Sequence, residues 1–111
     1  MRKKADQGAG AAVKLPAVPS IRCIDEIHGL IAGAIAGSPD AVIELDAAAD
    51  PDLCVIQLLE AARLDAERQG RLLRLAQPAN ENTRRTLDRA GLSAGGGGAF
   101  NRFWYHQENN Q

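Results

Sequence analysis

Aromatic residues are nearly missing from this chain: they make up 4% of its 111 residues, and all of them stand close together as Phe100, Phe103, Trp104 and Tyr105. Any core built before residue 100 must therefore be aliphatic. Cysteine is as scarce. Cys23 and Cys54 lie far apart, in no CxxC or Cys/His spacing, which excludes metal-finger and disulfide-scaffold classes and fits a reduced, cytoplasmic setting. Neither sign of charge dominates, since 13 Lys and Arg face 14 Asp and Glu. Such a balance creates no field that would gather a polyanion, so nucleic acid is not an expected partner. Long apolar runs are absent too: nothing reaches the ~20 residues that cross a bilayer, and Arg2, Lys3 and Lys4 precede no such run. Neither a signal peptide nor direct membrane insertion is expected.

What is present suits one small domain with a single core. Residues 1–11 mix charge, Gly and Ala without a period and read as a flexible leader. The folded domain is expected over 12–93, a Gly-rich linker over 94–99 and an aromatic C-terminal segment over 100–111. Ala12-Val13-Lys14-Leu15 alternates as a half-buried strand does, and Pro16 and Pro19 end it, which marks an edge strand. Ile24, Ile27, Ile31 and Ile35 then share one face of a first helix, for which Gly37 is the expected left-handed cap. Residues 41–45 form a short, mostly apolar strand, expected at the centre of the sheet and buried on both faces.

The second helix has the clearest start signal. Asp50 is placed to cap it, Pro51 suits the first helical position, and Asp52 sets negative charge at the positive end of the dipole. Its inward stripe is expected to be Val55, Leu58, Leu59, Ala62 and Ala66, with Glu60, Arg63, Glu67 and Arg68 turned outward. Gly70 ends it. Residues 71–76 are the next strand, Pro78 stops it, and Asn80 caps a third helix running to Gly91, over whose end Leu92 folds back. Helical crossovers of this length join parallel strands. The expected fold is α/β: a small mixed, mainly parallel sheet with helices packed against it.

Several residues invite chemistry, and each has a plainer reading that is preferred. Cys54 stands in the first turn of a helix, where the dipole favours a thiolate, but Asp50 and Asp52 oppose it; a packing role is expected. His28 has Asp25 and Glu26 nearby but no third group, so it reads as structural. Asp46, Asp50 and Asp52 crowd one turn, yet capping accounts for two of them, and no metal is expected. Gly95–Gly98 follows a helix and lacks a Lys-Ser/Thr pair, so it is no phosphate cradle. No catalytic residue and no cofactor are assigned. The aromatic cluster either closes the core as a strand or flap, the preferred reading, or anchors a partner.

The stretch from Val42 to Leu92 resembles the STAS domain, the fold of the anti-sigma-factor antagonists. That family runs from a hydrophobic strand through an Asp-Ser-Ser-Gly turn into a Gly-ended helix, then to a second strand ending in Pro and a helix closing on Gly-Leu. Here the turn is Asp52-Leu53-Cys54-Val55, the helix ends at Gly70, the strand at Pro78, and the close is Gly91-Leu92. Residues 55–63 and the late Phe103-Trp104 look like the stand-alone members that accompany bacterial chemotaxis genes. The resemblance implies a non-enzymatic, cytoplasmic module for signal transduction. Its partner would be a protein: a regulatory kinase, an anti-sigma factor or a chemotaxis component. A homodimer is compatible with it. The partner-binding residues would be Asp50, Asp52, Leu53, Cys54 and Gln57. Leu53 and Cys54 stand where the family carries its phosphorylated serine and that serine's neighbour, so the usual phosphorylation is lost. An alternative resemblance is to the STAS subunit that docks on the ATPase of lipid-transport ABC systems.

Overall fold

A computed structural model of the chain describes residues 11–92 and 97–107. The leader lies outside the described residues except for Ala11, which opens strand β1 (Ala11–Lys14). A 3₁₀ turn (Ile21–Cys23) leads into helix α1 (Ile24–Gly37), followed by β2 (Asp40–Glu44), α2 (Leu53–Arg68), β3 (Leu72–Leu75), α3 (Glu81–Arg89) and α4 (Gly98–Tyr105). The fold is α/β, as expected. The described strands form one sheet in the order β1-β2-β3, parallel throughout rather than mixed, with Val13 beside Ile43 and Ile43 beside Leu75.

One face of this sheet carries the core. Ala41, Ile43, Leu73 and Leu75 are buried under Ile27, Ile31 and Ile35 of α1 and Val55, Ile56 and Leu59 of α2. The opposite face presents exposed Lys14, Leu72 and Arg74, and burial alternates along β2. The central strand is therefore not buried on both faces. Strand pleating sends every second side chain away from the helices, and Glu44 already signals that outward row.

Two helix ends follow their glycines closely. Gly70 (φ 71°) and Gly91 (φ 76°) are left-handed, a backbone state that only Gly takes without a Cβ penalty. At each, the next residue donates five positions back, Arg71 N–H to the Ala66 carbonyl (2.8 Å) and Leu92 N–H to the Leu87 carbonyl (3.0 Å), closing Schellman caps. Leu92 thus folds back as expected. Gly37 differs: it is the last residue of α1 and does not have a left-handed φ, and the chain leaves the helix through extended Ser38. The α1 carbonyl end is served instead by Arg71, whose Nη1 donates to Ile35 O (2.7 Å) and Ser38 O (3.2 Å).

The linker and the aromatic segment are one element where described. Gly98 and Ala99, read as linker, form the first turn of α4; residues 94–96 lie outside the described residues. Phe100, Phe103 and Trp104 are buried, so the aromatics close the core as a helix rather than as a strand. Trp104 is fully buried, its ring edge-on to Phe103 at 5.0 Å, and its carbonyl accepts the Ala79 N–H at 2.7 Å.

This packing reverses part of the expected facing of α2. Arg63 points inward and is 7% exposed, while Leu58 is only half-buried. Its guanidinium grips Glu60 bidentately, at 3.0 Å through Nε and 2.6 Å through Nη2, and reaches Glu67 at 3.0 Å. The other donor to Glu60 is the Trp104 indole, whose Nε1 lies 2.9 Å from Oε1. Burial acts to raise the pKa of Glu60, but the hydrogen bonds from Arg63 and Trp104, with the charge of Arg63, outweigh it and hold the carboxyl below its ordinary range. The bond to Glu60 in turn raises the already high value of Arg63. A buried charge needs such a partner set, and α4 supplies part of it.

Candidate partner-binding surface

The second helix starts two residues later than the proline signal suggests, at Leu53, with extended Asp52 as its N-cap. Asp52 makes no side-chain cap on its own helix. Its Oδ2 instead accepts the Ile21 N–H at 3.1 Å, and its N–H donates to the Pro19 carbonyl at 3.2 Å. Two hydrogen bonds thus lash the loop after β1 to the start of α2, across 31 residues of sequence. Pro19 and Pro51 are fully buried beneath this join. Proline has no N–H to satisfy and a fixed φ, so both can be packed under a loop at low polar cost.

The join leaves apolar side chains in solvent. Val18 is 77% exposed, Ile21 60% and Leu53 41%. Single exposed aliphatics are ordinary, but three of the five large exposed hydrophobics among the described residues belong to this one bonded corner. The loop beneath is ordered locally. Ser20 caps the 3₁₀ turn, its Oγ accepting from Arg22 N–H at 3.2 Å, while its own N–H donates to Cys23 Sγ at 3.4 Å.

The expected binding residues fall as follows. Asp50, Asp52, Leu53 and Gln57 are exposed together on the α2 start, Gln57 one helical turn beyond Leu53. Cys54 is half-buried and packs against the core, in keeping with a packing role. Asp50 and Leu53 also line a concavity closed on its far side by Thr86, Arg89 and Ala90 of the α3 end, where Arg89 Nη2 donates to Thr86 Oγ1 at 3.3 Å. The corner thus combines exposed apolar side chains, carboxylates and an α2 N-terminus free of any side-chain cap.

Other candidates stand apart from this corner. His28 is exposed on α1, and His106 ends α4 with its Nε2 3.0 Å from the Leu75 carbonyl. Asp46 Oδ2 accepts from Ala48 N–H, and no group of His, Cys, Asp or Glu able to hold a metal ion occurs among the described residues. Among those residues, too, no helix is long and apolar enough to cross a membrane.

No family model, curated protein or solved structure matches the chain. The functional reading therefore rests on the residues and geometry of the corner itself. Val18, Pro19 and Ile21 were missed as site residues because Val18 and Pro19 lie in the proline-marked loop after β1, outside any periodic segment, and Ile21 stands just ahead of the isoleucine row of α1. Their only sequence signal is that Val18 and Ile21 are apolar residues flanking a turn, and nothing local links them to Asp52.

Proposed function

We propose that the chain is a non-enzymatic, cytoplasmic protein-binding module for signalling, of the STAS or anti-sigma-factor-antagonist type, that captures its partner on the corner formed by Val18, Ile21 and the α2 start. The observation that carries this reading is the exposure of Val18, Ile21 and Leu53 at the join where Asp52 is hydrogen-bonded to Pro19 and Ile21. Leu53 serves as the apolar anchor, and Asp50, Asp52 and Gln57 supply polar contacts around it. Because Leu53 and Cys54 occupy the places of the family's serines, binding proceeds without phosphorylation of this turn.

Leu53→Asp tests the reading. Leu53 is a partly exposed N-terminal helix residue, and a carboxylate suits that end of the dipole, so the melting temperature should stay near that of the parent. Capture of the cognate partner, identified by mass spectrometry and then purified, is expected to fall by at least about tenfold, the range of a hot-spot anchor. Undiminished affinity for Leu53→Asp would reject the corner as the binding site.

A further inference from the structure

We infer that the partner meets this corner with an apolar segment flanked by lysine or arginine, an inference that rests on the reading above and names the chemistry of its ligand. The apolar triad is the docking element, and the charges around it select the occupant. The Asp52 carboxylate lies within the triad: Oδ2 holds the Ile21 N–H, and Oδ1 has no partner among the described residues. Asp50, exposed, stands two residues before it. Asp25 and Glu26, also exposed, form the first turn of α1, directly after the 3₁₀ turn that carries Ile21.

Against these four carboxylates stand two guanidiniums. Arg22 is exposed on the 3₁₀ turn, and Arg89 lies across the concavity from Asp50, engaged with Thr86. The balance around the triad is thus acidic, although the whole chain carries a formal charge of only -1. Complementary charge at the rim sets encounter rate and excludes wrong partners, while the apolar anchor sets the lifetime of the complex. An acidic segment with the same apolar residues would face repulsion from these carboxylates. A membrane surface rich in anionic lipid would meet the same repulsion.

Two fluorescein-labelled helical peptides test this, identical in their leucine and isoleucine positions and flanked in one by lysine and in the other by glutamate. Titration of the full chain, followed by anisotropy at low salt, is expected to give a dissociation constant on the order of tenfold smaller for the lysine peptide. The preference should shrink at high salt and in Asp25→Asn/Asp50→Asn, whose exposed positions leave the fold unchanged by Trp104 fluorescence. Leu53→Gln should weaken both peptides. Equal binding of the two peptides, with loss on Leu53→Gln, would overturn the charge selection and leave the corner as the site. Binding that Leu53→Gln does not alter, or no binding of either peptide, would overturn both.

Discussion

Trp104→Ala is expected to lower the free energy of unfolding by about 3–5 kcal/mol, the usual cost of truncating a buried indole to a methyl group. The cause is local. Trp104 is fully buried, packs edge-on to Phe103 and against Phe100, and satisfies half-buried Glu60 through Nε1. Truncation removes the apolar contact, opens a cavity and takes one donor from that carboxylate. Small domains hold only ~5–15 kcal/mol in total, so a large part of the folded population's margin should disappear. Urea unfolding followed by far-ultraviolet circular dichroism measures it. A loss below about 1 kcal/mol would mean that α4 rests on the domain without completing its core.

Glu60→Ala should cost somewhat less, about 2–3 kcal/mol, because it leaves the Arg63 guanidinium buried with only the exposed Glu67 as counter-ion. Replacing both groups by apolar residues of similar size, Glu60→Leu/Arg63→Met, should recover most of that loss, since a buried pair contributes little net stability over well-packed hydrophobes. The pH dependence has a definite sign. Glu60 titrates below the ordinary 4.5, so the unfolded chain binds the proton first; its contribution is complete above that value and disappears as pH falls through the lower folded one. Urea midpoints measured from neutral pH downward should drop more steeply below about pH 4.5 in the parent than in Glu60→Gln. Parallel acid limbs would show that the Arg63–Glu60–Trp104 contact does not hold that carboxyl ionised.

The interior of the domain was legible wherever the chain's local chemistry and its tertiary setting agree. Gly70 and Gly91 each stand just past a helix C-cap and take the left-handed state that only Gly accepts easily, and Asn80 caps α3 through Thr83 N–H as its position suggests. The isoleucine row of α1 faces the sheet because its spacing leaves it no other face to bury. Arg63 defeated the same reasoning. Its charge argues for solvent, but Trp104 of α4 arrives from 44 residues away and brings an indole donor to the carboxylate that grips the guanidinium bidentately. No local window contains that encounter.

The binding corner divides in the same way. Asp52 is a helix-start residue on sight, and it is one; that its carboxylate turns away from its own helix to hold Ile21 N–H is a tertiary fact. Leu53, Asp50 and Gln57 were assigned to the α2 start through the family resemblance, and all three are exposed there. Val18 and Ile21 join them only after the sheet sets β1 beside β2 and delivers both following loops to the same end.

The account stands or falls on where the partner touches. Residue-resolved amide shifts of the labelled chain, recorded on titration with the purified partner, give that footprint directly. The expected result is perturbation centred on Val18, Ile21 and residues 50–57, with the C-terminal half of α1 and α4 unmoved. Perturbation centred on α4 or on the open face of the sheet, with Ile21 and Leu53 unchanged, would contradict it.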